Sequence, residues 1–271
     1  MAVSSTDRNE SLQCIACAVR QEERSNINER HLINAILDWG ENTLDPSIQN
    51  AIGIDNVMKN AITSWVKRSE ESDRIDKDYD NWIRSSVLIA NELSNSTYID
   101  PSGYKFYRQD QFPNFKDKAF EIATTIKNNT SNSVMKQMYN ASVGSGWKDK
   151  WNPSDILAVK TSKVSSVRTQ LSNFDAEKVN SDSKKLRSEF KKSRKMRLDG
   201  KALKQLNVME DMDILYEYNL LIDKLCSDKE CVGISLKQQL GSSNVPIKKF
   251  DHKGIQGLKD AMMILRLTDL L

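Results

Sequence analysis

Two apolar segments carry polar residues that a core strand does not need. "SDILAVK", Ser154 to Lys160, sets Asp155 at the mouth of an apolar run, and "CVGISLKQ", Cys231 to Gln238, places Lys237 inside another. Both are short, contain β-branched residues and are bounded by turn formers, so both read as strands. Alternation puts Val232, Ile234 and Leu236 on one face of the second strand and Gly233, Ser235 and Lys237 on the other. Asp155 falls at the start of the first strand, on the face of Leu157 and Val159. If the strands are neighbours, Asp155, Ser235 and Lys237 converge at one end of a sheet. That set suits metal-assisted phosphodiester hydrolysis. A carboxylate is a ligand for a hard divalent cation, Mg2+ or Mn2+. Lys237 can hold the attacking water or stabilise charge on the phosphorane, and the cation lowers the pKa of that water. One carboxylate is thin coordination, so a second acid is needed from elsewhere.

Each residue also has a plainer reading. Asp155, after Pro153 and Ser154, can be a turn residue that opens a strand. Lys237 can snorkel from an edge strand, where lysine discourages further pairing.

The elements that must position these residues come from a chain of 271 residues, 38% hydrophobic and 28% charged, which is enough apolar content for a folded core. The formal net charge is only +3, so affinity for an acidic polymer must come from a local patch. No apolar run approaches the roughly 20 residues of a membrane span. The N-terminus, "MAVSSTDRNES", lacks the pattern of a signal peptide, and a cytoplasmic location is expected, in a host cell if the source is phage or viral. The sequons at Asn95, Asn129 and Asn140 are then incidental. Cys14 and Cys17 sit three apart in a helical pattern with no His pair to match, and His31 and His252 are isolated. Buried reduced thiols are expected there rather than zinc.

"NESLQCIACAVRQEER" has Leu12, Ile15, Ala16 and Val19 at helical spacing, with Cys14, Cys17 and Ala18 on the opposite side; this predicts a helix buried on two faces. Helical patterning continues from Ile27 to Leu93. Tyr98 and Ile99, a turn at 100–103, then Tyr104, Phe106 and Tyr107 read as a β-hairpin. Helices follow over 115–127 and 133–139, then the glycine-bearing loop "VGSGWKDK", which lacks the ending of a phosphate-binding loop. A short strand in "NVPIKKF" and a C-terminal helix in "IQGLKDAMMILRL" close the chain. The expected class is mixed α/β, helix-rich, with a small sheet. The expected organisation is a helical region over 1–95, its first helix belonging to the core, and an α/β core over 96–271 with a basic helical insertion at 175–228.

That insertion concentrates charge. From Lys184 to Lys204 there are ten Lys or Arg against Glu189 and Asp199. Lys184, Lys185, Arg187, Lys191, Lys192, Arg194, Lys195 and Arg197, with Lys148 and Lys150 ahead of Asp155, are the expected phosphate contacts of a nucleic-acid surface. Leu186 and Phe190 are its expected anchors. The plainer reading is a solvated helix face.

"NPSD" opening one strand and "GISLK" in the next resemble the PD-(D/E)xK, or restriction-endonuclease-like, nuclease superfamily, and look most similar to its divergent phage and viral members. The resemblance covers 144–160, 230–249 and, loosely, the first helix. It implies an αβββαβ core, with Asp155 as the metal-binding acid and Lys237 as the catalytic lysine. Ser235 stands where the family has Asp or Glu, and serine is a much weaker metal ligand. Many members add a Glu from the first helix; Glu10 is the candidate here, with Glu22 second, and Gln239 can line the same face as Lys237. The resemblance implies a Mg2+- or Mn2+-dependent nuclease acting on nucleic acid, DNA ahead of RNA, with a homodimer left open and no membrane partner. The alternative is a catalytically inactive nucleic-acid-binding or protein-interaction module of the same fold. A mostly helical structural protein is a third reading.

Overall fold

The computed structural model describes residues 3–71, 77–96, 99, 103–112, 115, 154–194, 214 and 216–236. Within them the chain is a helix-rich mixed α/β structure with a small antiparallel sheet packed against N-terminal helices. The helices are α1 (Ser5–Glu23), α2 (Glu29–Gly40), α3 (Pro46–Asn50), α4 (Asn56–Glu70), α5 (Lys77–Asn95), α6 (Val164–Ser172), α7 (Ala176–Arg194) and α8 (216–227). The strands are β1 (Tyr104–Arg108), β2 (Ile156–Lys160) and β3 (Cys231–Ile234).

α1 is the central helix. Ser4 caps it, its hydroxyl oxygen accepting the Asp7 N–H, and Arg24 ends it in the left-handed conformation. Every residue from Glu10 to Arg20 is buried. The expected two-faced burial is therefore present, and its cause is composition: Ser11, Cys14, Ala16, Cys17 and Ala18 are small enough for neighbours to approach on all sides. α2, α3, α4, α5 and β1 all pack against it. Side-chain bonds fix its position. Trp65 Nε1 donates to the Arg8 carbonyl at 2.7 Å, and Gln13 Nε2 donates to the Ser86 carbonyl at 3.1 Å. His31 and Asn28 form a reciprocal cap at the start of α2, which gives that histidine a structural role.

The three strands lie in the order β1-β2-β3, each pair antiparallel, with Phe106 opposite Ala158 and Ile156 opposite Ile234. Residues directly opposite share a face. Tyr104, Phe106, Ile156, Ala158, Ile234 and Leu236 accordingly join the core cluster that α1 dominates, with Val232 packed against it. Tyr107, Leu157, Val159 and Cys231 fall on the other face and are also buried. Burial on both faces is why the central strand reads "ILAV" without a polar break. Gly233, opposite Leu157 on that second face, is exposed.

β1 does not obtain its partner from the adjacent hairpin arm. It pairs with β2, far along the chain; Ile99 sits in a bend, and Tyr98 lies outside the described residues. Its other edge receives a parallel bridge from Ile52, with Gly53 N–H donating to the Phe106 carbonyl at 2.7 Å and Phe106 N–H to the Ala51 carbonyl at 2.8 Å. The described residues fall into two compact units. One holds α1–α5, the whole sheet and the chain through Arg168, so the N-terminal helices and the strands share a core. The other includes 169–194 and the part of α8 up to Lys224. Of the helix expected over 115–127 only Phe115 is described, and it sits in a bend; the rest of it, the helix expected over 133–139, the "VGSGWKDK" loop, "NVPIKKF" and the C-terminal helix lie outside the described residues.

Gly53 leaves no room for a side chain: a Cβ there would meet the Tyr107 ring, and Gln111 Oε1 at 2.8 Å. Gly53→Ala is expected to lower stability by about 1–3 kcal/mol through overpacking, read as a fall in the urea midpoint at unchanged slope. An unchanged midpoint would mean that the Ile52–Phe106 junction yields without cost.

Candidate active site

The positions of the sheet and of α1 meet at the Arg108 end of β1. At the opposite end, Gln21 clamps the start of β1: its Nε2 donates to the Tyr104 carbonyl at 3.1 Å and its Oε1 accepts the Tyr104 N–H at 2.9 Å. At the near end, Arg108 Nη1 donates to Asp7 Oδ1 at 2.9 Å. The helix therefore runs antiparallel to β1 and is pinned at both ends. Glu10 is one turn beyond Asp7 on the same side of α1, which carries it to the end of the sheet where β2 begins.

Arg108 is the centre of this region. Its side chain is fully buried and pairs with Asp7 at 2.9 Å, Asp55 at 3.1 Å and Asp110 at 3.0 Å. Asp55 also caps α4 through the Met58 N–H. Asp110 belongs to a single 3-10 turn, Gln109–Gln111, that follows β1 directly. One guanidinium thus joins the N-terminal ends of two helices to the end of the sheet. Its Nε is buried without a hydrogen-bond partner.

Asp155 is held by backbone on both sides. Its N–H donates to the Ile234 carbonyl at 2.9 Å, and its carbonyl accepts the Gln109 N–H at 3.1 Å. Its Oδ2 accepts the Leu236 N–H, and the Ser235 hydroxyl at 3.3 Å. Asp155 and Ser235, expected to converge from sequence, are in contact. Ser235 spends its hydroxyl on the carboxylate rather than replacing one.

Glu10 is buried, 6% exposed. Burial pushes its carboxyl up to about 8, with the nearby Asp155 charge adding to the rise, Arg108 opposing it, and Asp110 and Asp7 raising it further. The charge of Asp155, at the start of the central strand, is thus felt at Glu10 on α1. Burial likewise raises Asp110, against the pull of Arg108. Glu22, the second choice, is exposed and lies 12 residues on, about 18 Å along the helix axis.

Arg108, Asp7, Asp55 and Asp110 went unread in the sequence. The available signal was "YKFYRQDQF", an arginine embedded in an aromatic strand where a cation must have partners. Lys237, Gln239, Lys148, Lys150, Lys195 and Arg197 lie outside the described residues. Lys184, Lys185 and Lys192 are exposed on α7, whose backbone also carries Arg187, Lys191 and Arg194. Leu186 is 68% exposed and so does not anchor that helix, contrary to expectation. Cys14 and Cys17 are buried and reduced, with burial raising both thiols. Among the described residues no group of three or more His, Cys, Asp or Glu side chains is arranged to hold a metal, and no helix is long and apolar enough to cross a membrane.

Comparison with protein families, with curated proteins and with solved structures finds no match to this chain.

The Glu10 shift has a stability consequence. The unfolded chain loses this proton near 4.5, whereas the fold retains it to about 8. Between those values the native state binds more protons, so stability falls as pH rises through the window. Glu10→Gln in EDTA is expected to match wild type below about pH 4.5 and to exceed it by up to roughly 3 kcal/mol at pH 7, at about 1.4 kcal/mol per unit. Urea melts across that range read this directly; equal stabilities at high pH would contradict the shift. Arg108→Met is expected to cost about 3–5 kcal/mol, because it strands several carboxylates around an apolar side chain; a loss below about 1 kcal/mol would remove Arg108 from its central role.

Proposed function

We propose that the chain is a metal-dependent nuclease that hydrolyses phosphodiester bonds, DNA ahead of RNA, with a divergent restriction-endonuclease-like core. The observation that carries the reading is that Glu10, buried in the first helix, feels the charge of Asp155 at the start of the central strand. The two acids come from segments far apart in the sequence, and the Asp155 charge adds to the rise of the Glu10 carboxyl. The sheet supports it too: its three described strands are antiparallel and lie in sequence order, with α1 packed against β1, although α2–α5 come between α1 and β1 and α6–α8 between β2 and β3.

The residues fit a hard divalent cation. Glu10 is a buried carboxyl beside a second carboxylate, a pair whose joint ionisation a cation would favour. Mg2+ is commonly held by one or two carboxylates with waters completing its shell, so two protein acids suffice. Glu10 and Asp155 would hold it; when bound, it supplies a water of lowered pKa and a counter-charge for phosphate. Ser235 and the Leu236 N–H orient the Asp155 carboxylate through Oδ2. Arg108 keeps Asp7, Asp55 and Asp110 paired and so holds the first turn of α1 in place. Lys237, two residues after Ser235, is assigned the water-positioning or charge-stabilising role from the sequence pattern. The exposed lysines of α7 are assigned to phosphate contacts.

One observation favours the second reading, an inactive nucleic-acid-binding module. Ser235 occupies the usual position of an acid and is hydrogen bonded to Asp155. Incubation of the purified chain with plasmid, single-stranded DNA and RNA, in Mg2+, Mn2+ or EDTA, separates the two. Metal-dependent cleavage is expected, reduced by at least about 100-fold in Asp155→Ala and in Lys237→Ala, a loss of about 2.7 kcal/mol in transition-state stabilisation. Salt-sensitive binding without cleavage in any metal would select the binding module. Neither binding nor cleavage would exclude both.

A further inference from the structure

The turn that leads into β3 contains two thiols that the proposed site does not use. Cys226 lies near the end of α8 and is half-buried; Cys231 is the first residue of β3 and is fully buried. Their sulfurs are 4.0 Å apart, and neither is in a disulfide. The intervening turn is held by its backbone. Lys229 N–H donates to the Cys226 carbonyl at 3.1 Å, Glu230 N–H donates to the Leu225 carbonyl at 2.9 Å, and Lys229 adopts the left-handed conformation, φ 54°. Two hydrogen bonds and a positive φ fix the two cysteine backbones relative to each other, so the sulfurs are kept in contact rather than meeting by chance. A disulfide needs about 2.05 Å between sulfurs, and the remaining approach is within the range of side-chain rotation.

We propose that Cys226 and Cys231 form a redox modification site that closes to a disulfide when challenged by a low-molecular-weight disulfide such as oxidised glutathione. Cys226, the accessible thiol, attacks first as its thiolate. It forms a mixed disulfide and expels one glutathione thiolate. Cys231, losing its proton to solvent, then attacks the Cys226 sulfur and expels the second. The balance is one protein dithiol and one oxidised glutathione giving one protein disulfide and two reduced glutathiones. Proximity favours the second step over hydrolysis or further thiol capture, because it is intramolecular between atoms already in contact. The hydrogen bond with Cys226 and then burial raise the Cys231 thiol, so the closing step is slow at neutral pH and faster in alkali.

The consequence lies in β3. The bridge would tie its first residue to the end of α8, while the other end of the strand presents Ser235 and Leu236 to Asp155. Cys14 and Cys17 provide an internal control, since both are fully inside α1's packing.

The test uses the full chain, native, titrated with mixtures of reduced and oxidised glutathione and quenched in acid. Trypsin cuts after Lys224, Lys229 and Lys237, so a closed bridge joins Leu225–Lys229 to Glu230–Lys237. The expected result is that linked pair of peptides, loss of two titratable thiols of four, and slower hydrogen exchange over 231–236 than in the reduced chain. Cys226→Ser, a change at the half-buried position, is expected to fold and to show neither the link nor the protection. Glutathione retained at Cys226 alone, or four thiols still titrating at the most oxidising ratio, would overturn the proposal. So would a link involving Cys14 or Cys17. None of these outcomes depends on nuclease activity.

Discussion

One buried guanidinium organises the end of the molecule where the chemistry is assigned. Arg108 closes β1, and its three ion pairs reach α1 through Asp7, α4 through Asp55 and the turn after β1 through Asp110. A buried arginine is costly unless its charge is matched. Here the match comes from separate elements, so satisfying the charge requires that those elements be in register. Gln21 supplies the second fixed point, at the opposite end of β1. Between the two, α1 has no freedom to slide, and the placement of Glu10 follows.

The arrangement stores an electrostatic conflict. Glu10 is buried within reach of the Asp155 charge, and the nearby Arg108 is already shared among three carboxylates. Burial without a matching cation is what holds a proton on Glu10 near neutrality. Such a conflict weakens a fold and is retained where a site needs carboxylates close together. Ser235 bears on the same point from the other side. Ser235 donates to the Asp155 carboxylate, whereas a carboxylate in its place would add another negative charge to a region that already holds an excess.

Much of this was legible in the chain. Alternation in "VGISLK" placed Val232, Ile234 and Leu236 on the core and left Gly233 and Ser235 facing away, and the fold agrees. Apolar residues on opposite sides of α1 predicted its burial on two faces, and Glu10 to Arg20 are buried. Asp155 and Ser235 could be paired because the strands are short and their apolar faces unambiguous. Long-range partners were not legible. That β1 pairs with β2 rather than with an adjacent arm depends on contacts closed across some fifty residues, which local turn chemistry does not encode. The Arg108 network escaped notice because its acids sit in three segments, each locally explained as a cap or turn residue. Leu186 misled for the opposite reason: an apolar side chain on a basic helix suggests an anchor, yet isolated exposed leucines are common.

The central claim is that Glu10 and Asp155 serve one cation, and a double-mutant cycle on Mn2+ binding tests it most directly. Electron paramagnetic resonance titration of free Mn2+ would be run on wild type, Glu10→Gln, Asp155→Asn and the double variant. A shared ion predicts that each single change weakens binding by at least about tenfold and that the double change costs less than the sum of the two. Mn2+ bound equally by wild type and Glu10→Gln, or two losses that simply add, would contradict it.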